Sequence, residues 1–103
     1  MTWHTTLKVT DVEPGKVGVV EIDGERVAIC RTDEGDFYAI ADLCSHDGGA
    51  LDQGELLGER IECPRHGAQF DIKTGRALTL PAVRPIKSYP LRVVDDTIEV
   101  ELA

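Results

Sequence analysis

Apolar and polar positions along this chain fall into short runs with the two-residue period of strands, punctuated by glycine and acidic turns. The clearest run closes the chain. Ile98, Val100 and Leu102 fall on one side of an extended segment and Glu99 and Glu101 on the other, which predicts a half-buried strand over Thr97–Leu102. A second strand is predicted over residues 89–94, before Asp95-Asp96. Val17–Ile22 and residues 26–31 flank Asp23-Gly24, a pair suited to a tight hairpin. Phe37–Ala41 follows the polar turn Asp33-Glu34-Gly35-Asp36, and shorter runs lie at 61–63 and 69–72, the latter closed by Lys73-Thr74-Gly75. Strands recurring every ~8 to 12 residues predict an all-β sandwich or barrel. No segment carries a helical period, and residues 11–15 have room for one turn of helix at most.

Two segments interrupt the strand pattern, Cys44-Ser45-His46-Asp47-Gly48-Gly49 and Cys63-Pro64-Arg65-His66-Gly67. Each is a glycine-bearing loop with one cysteine and one histidine. Together they read C-x-H, sixteen intervening residues, then C-x-x-H. Each loop delivers one soft thiolate and one borderline imidazole, and two such loops suit a two-metal object better than a single ion. In a [2Fe–2S] cluster of the Cys₂His₂ kind, both thiolates bind one iron and both imidazoles the other. A structural zinc site with the same four donors, Cys44, His46, Cys63 and His66, is the alternative on spacing alone, although such sites usually begin C-x₂₋₄-C. Gly48, Gly49 and Gly67 permit close backbone approach, so that N–H groups can face negative sulfur. Pro64 stiffens the second loop.

The chain has 103 residues, enough for one domain over residues 1–103 with its metal-binding portion at about 42–85. Hydrophobic residues make up 42% and charged residues 29%, within the globular range. The net charge of -8 argues against nucleic acid as a partner. No apolar run is long enough to span a membrane, and the first ten residues do not resemble a signal peptide, so a cytoplasmic protein is expected. Three cysteines cannot all pair within the chain, which favours metal over disulfides. Charge is uneven. Residues 1–59 carry 4 basic and 13 acidic side chains, residues 60–92 carry 7 basic and 2 acidic, and the remainder 4 acidic. This is either ordinary solvated surface or a docking face of opposite sign to the body.

With these motifs, the sequence resembles the Rieske proteins over nearly its whole length, Cys44-Ser45-His46 and Cys63-Pro64-Arg65-His66-Gly67 standing as the two binding boxes. Phe70 to Gly75 is similar to the family's return strand and turn, Leu80-Pro81-Ala82-Val83-Arg84-Pro85 to its proline loop over the cluster, and Pro85 to Leu91 to the ferredoxin components of ring-hydroxylating dioxygenases. The resemblance implies a Rieske-like antiparallel β fold with a two-loop cluster-binding subdomain. It implies one [2Fe–2S] cluster on the four named residues and single-electron transfer from a flavoprotein reductase to a terminal non-haem iron oxygenase. With all four ligands on the cluster there is no open iron position, hence a carrier and not an enzyme, expected to act as a monomer. The alternatives are a small subunit of an assimilatory nitrite reductase, or a redox sensor or accessory to iron–sulfur assembly. Respiratory Rieske proteins have a further cysteine in each box, joined as a disulfide. Here those positions are Gly49 and Arg65, and their cluster-bonding serine and tyrosine are Ala68 and Phe70. Fewer donors leave the reduced cluster less stabilised, which predicts a low potential.

Other residues receive plainer readings. Cys30, in the run Val27-Ala28-Ile29-Cys30, is expected in the core. His4 is expected at the surface without a partner, and Trp3 over a sheet edge. Arg65 is either a solvent-facing replacement for a family cysteine or a partner contact and local positive charge.

Overall fold

The computed structural model describes residues 2–102 and is built almost wholly of antiparallel strands. In chain order these are β1 (Thr2–Lys8), β2 (Val17–Ile22), β3 (Glu25–Arg31), β4 (Phe37–Ala41), β5 (Glu55–Leu57), β6 (Arg60–Glu62), β7 (Gln69–Asp71), β8 (Ser88–Tyr89), β9 (Leu91–Val94) and β10 (Thr97–Leu102). They form three sheets, β1-β10-β9, β2-β3-β4-β8 and β5-β6-β7. The helical turn is a 3₁₀ turn at Val9–Asp11, just before the segment the sequence suggested.

The middle sheet decides the architecture, because β3 is buried on both faces. Val27 and Ile29 pack with Val12, Ile22, Ala39, Ile98, Val100 and Leu102 towards the β1-β10-β9 sheet. Ala28 and Cys30 pack on the opposite side with Ile40, Leu51, Ile61, Phe70 and Ile72. A strand covered on both faces has no polar side to alternate with, which explains the unbroken apolar run at 27–30. Cys30 is fully buried, and its thiol is pushed up to about 12, chiefly by desolvation and secondarily by the Asp42 charge.

The β2–β3 hairpin turns at Asp23 and Gly24, with φ of 49° and 83°. Positive φ at both central residues gives the turn the twist that suits a two-residue hairpin. Ile98, Val100 and Leu102 of β10 are buried as their alternation requires. Tyr89 to Val94 is two strands and not one. Pro90 separates β8, which pairs with β4, from β9, which pairs with β10. Strands β1 and β5 were not anticipated. The edge strand β1 pairs with β10, with Trp3 covered by the Arg92 guanidinium 4.1 Å from its ring centroid. His4, expected to be unpartnered, lies 3.8 Å from Asp23.

Candidate metal centre

The first loop leaves β4 at Ala41, and the second joins β6 to β7. Both fold by one hydrogen-bond scheme. In the first, Gly48 N–H donates to the Cys44 carbonyl at 2.8 Å and Cys44 N–H to the Gly49 carbonyl at 2.7 Å. In the second, Gly67 N–H donates to the Cys63 carbonyl at 3.1 Å and Cys63 N–H to the Ala68 carbonyl at 2.7 Å. Gly48 and Gly67 have φ of 75° and 76°, a left-handed conformation that costs glycine little. The two boxes are thus near-copies, each presenting its cysteine at the start of an identical turn.

This local geometry sorts the four predicted donors by type. Cys44 and Cys63 are buried in the Phe70 core, while His46 and His66 are exposed. The imidazole rings meet edge to face, with centroids 5.1 Å apart and planes at 88°. Burial pushes the Cys44 thiol up; the backbone N–H groups of His46 and Asp47, aimed at its sulfur, oppose this. The loop dipoles are turned towards the place where thiolate charge would sit.

Asp47, which the sequence reading passed over, sits among these donors. Its carboxylate and the two sulfurs lie within 4.8 Å of one another, and its Oδ2 is 3.5 Å from His66 Nδ1. The carboxylate is nonetheless committed elsewhere. It accepts a two-pronged hydrogen bond from Arg65, with Nη2 to Oδ1 at 3.0 Å, and another from Gly49 N–H at 2.9 Å. The Arg65 contact, first, and the Gly49 N–H hold its pKa well below the usual carboxylate range, so it stays charged. A signal for it existed in the sequence: an acid beside His46 and a base beside His66, in loops predicted to face each other.

Two further contacts hold the site together. Asp42, whose carboxylate is wholly buried, accepts from the N–H groups of Leu51 and Asp52 at 2.8 Å each and from Arg26 Nη2 at 2.9 Å, closing the base of the first loop. The proline loop is pinned to both boxes. Ser45 Oγ donates to the Arg84 carbonyl at 2.6 Å, and Thr79, just before the loop, donates to the Gly67 carbonyl of the second box at 3.5 Å and accepts from Gln69 N–H at 2.9 Å. Between these pins Leu80 and Val83 stand out into solvent, 78% and 76% exposed. Leu43, before the first cysteine, is exposed as well.

The predicted contrast of charge is largely consumed inside the molecule. Of the seven basic residues in 60–92, Arg65, Lys73, Lys87 and Arg92 pair with Asp47, Glu59, Glu25 and Glu99. Among the described residues no helix is long and apolar enough to cross a membrane.

Two soft donors inside and two imidazoles at the rim, presented by paired loops, are the donor arrangement of an iron–sulfur centre of the Cys₂His₂ kind. Comparison with known proteins agrees. The Rieske [2Fe–2S] domain family matches residues 2–90, and the chain belongs to that family. It is 34% identical over 101 residues to the ferredoxin component of the naphthalene 1,2-dioxygenase system of Pseudomonas putida, covering 98% of this chain and 96% of that one. The ferredoxin of carbazole 1,9a-dioxygenase from Nocardioides aromaticivorans superposes with a TM-score of 0.90 at 35% identity, covering 97% of both chains. A chain of the complex of reduced oxygenase and oxidized ferredoxin in carbazole 1,9a-dioxygenase superposes with a TM-score of 0.88 at 31% identity, over 95% of this chain and 91% of that one. The protein is an electron carrier with one Rieske-type [2Fe–2S] cluster, a ferredoxin and not an enzyme.

Proposed function

We propose that Cys44, His46, Cys63 and His66 hold the cluster, and that the chain carries single electrons from a flavoprotein reductase to the terminal oxygenase of a ring-hydroxylating dioxygenase system. The observation that carries this reading is the division of the donors. The thiols are sealed in the core, and the imidazoles face solvent, as do Leu80 and Val83 of the loop tied to Ser45. The bound cluster supplies a one-electron couple. The chain's own residues do the rest. Backbone N–H groups stabilise negative charge on Cys44, the core excludes water from both sulfurs, and the proline loop offers a partner a surface that costs little to desolvate. The relatives named as ferredoxin components, and the superposed chain from an oxygenase–ferredoxin complex, support the partner assignment.

A nitrite reductase small subunit is disfavoured because all four donors are kept and such a role does not require them. Three free cysteines, two of them required as thiolates, suit a reducing compartment, so we place the protein in the cytoplasm, as a monomeric single domain over residues 1–103. The radius of gyration, 12.6 Å, is that of one domain of this length.

The purified protein is expected to contain iron and acid-labile sulfide in equal amounts and, once reduced, to give a Rieske-type EPR signal. Ala68 and Phe70 are fully buried and have no hydroxyl to offer the cluster, so its potential should lie near the low end of the Rieske range, roughly -150 mV. A colourless protein with one zinc and no sulfide overturns the ligand assignment. A potential above about +100 mV overturns the argument from missing donors.

A further inference from the structure

No disulfide joins the two cluster loops: the three cysteines are free. The loops are nevertheless fastened at one point. Arg65, in the second loop, places its guanidinium fork on the Asp47 carboxylate of the first, through Nε to Oδ2 and Nη2 to Oδ1. Asp47 in turn accepts the N–H of Gly49 within its own loop. The guanidinium lies directly over Gly49, so closely that a Cβ there would fall 2.5 Å from Arg65 Cζ. The side chains are only 37% and 18% exposed. A planar fork on a carboxylate fixes both distance and orientation, which a lysine's single point charge cannot do.

We propose that Asp47 and Arg65 are a positioning pair that fastens the two cluster loops to each other, with Gly49 as the seat of the fork. Because the two charges cancel, the pair holds the loops without biasing the charge at the redox centre. This rests on the cluster assignment above, yet its failure is distinguishable from the failure of that assignment. A parent protein without iron and sulfide sinks the assignment. A loaded parent whose variants behave like it sinks only the pair.

The experiment follows iron loss from the loaded protein under excess chelator by the decay of visible absorbance, and measures the potential of each variant. Partners that support metal ligands typically contribute ~10- to 100-fold in metal affinity. Arg65→Gln and Asp47→Asn should each lose iron at least about tenfold faster than the parent, at the lower end of that range. The double variant should be no faster than the worse single, since one interaction cannot be lost twice. The potentials separate a positioning pair from general fragility. Arg65→Gln leaves an uncompensated negative charge beside the site and should lower the potential, Asp47→Asn should raise it, and the double should return near the parent.

Gly49→Ala supplies a test with both charges in place. Its methyl displaces the fork, so iron loss should accelerate at a nearly unchanged potential. In the Arg65→Gln background the same change should add nothing. Parent-like retention in the single variants, multiplied effects in the double, or a Gly49→Ala effect that persists without Arg65 each overturn the proposal. If Asp47→Asn does not fold, the Gly49→Ala and Arg65→Gln pair decides it alone.

Discussion

Replacing Asp42 by alanine should release the first cluster loop while leaving the sheets standing. The carboxylate has no solvent exposure and is the acceptor for the N–H groups of Leu51 and Asp52 and for the Arg26 guanidinium. Its removal leaves the N–H of fully buried Leu51 without this partner, a penalty of about 1–3 kcal/mol. Asp52 is half-buried and Arg26 is half in water, so both recover part of their loss by hydration. The net cost should be about 2–3 kcal/mol, or a fall of about 10–20 °C in melting temperature for a domain of this size. Asp42→Asn retains an oxygen for the two N–H groups, which share Oδ1, but turns an amide NH2 towards Arg26 in place of Oδ2 and loses the guanidinium bonds; with Arg26 half in water it should cost about half as much. The assay is a thermal scan of the loaded protein at one fixed rate, since cluster loss makes unfolding irreversible, read both by visible absorbance and by far-UV circular dichroism. In Asp42→Ala the visible signal should fail before the strand signal. A fall under about 4 °C, less than roughly 1 kcal/mol, refutes the reasoning. So does an asparagine variant as damaged as the alanine one, for then charge and not loop geometry is what Asp42 supplies.

Leu80→Glu and Val83→Glu put a charge on side chains already in water, so melting should not change, while electron exchange with either partner should slow about tenfold or more, the scale of a lost central contact. Charge reversal at distant Glu21 should alter only the salt dependence of the rate, and a strong effect that persists at high salt, where long-range steering is screened, would place the docking face elsewhere. Cys30 should resist iodoacetamide at pH 8 in the folded protein and react once it is unfolded. Its folded pKa, about 12, lies above the ordinary 9.0, so folding binds the extra proton and stability should fall as pH rises between those values. Alkylation of Cys30 at pH 8 without unfolding would refute its burial.

The elements that could be read from sequence were those whose side chains report on their surroundings. β10 alternates because one face is wet, and the run at 27–30 does not because neither is. β1 escaped notice because Thr2, Thr5 and Thr6 dilute its pattern and it is held by pairing with β10, a long-range partnership that no local window contains. β5 has three residues, too few for a period to show. At the site, repeated cysteines and histidines announced themselves by type and spacing. Asp42 and Asp47 did not, since a single aspartate in a loop has many reasons to be there, and its partners, Leu51 and Arg65, lie 9 and 18 residues away. Arg65 was noticed for the cysteine it replaces. The sequence could not say that its charge is spent on a neighbouring loop and not on a visiting partner.

The separation of thiols from imidazoles also bears on traffic. On the proposed ligand assignment, with the sulfur side packed under Phe70 and the second core beyond it, the electron has one door, at His46 and His66. Donor and acceptor must both use it, so they exclude each other. On that assignment the carrier does not sit as a fixed wire between the proposed reductase and the oxygenase; it lets go of the first before it meets the second. Turnover is then set by how quickly each complex dissolves, and an interface made tighter on either side would jam the queue.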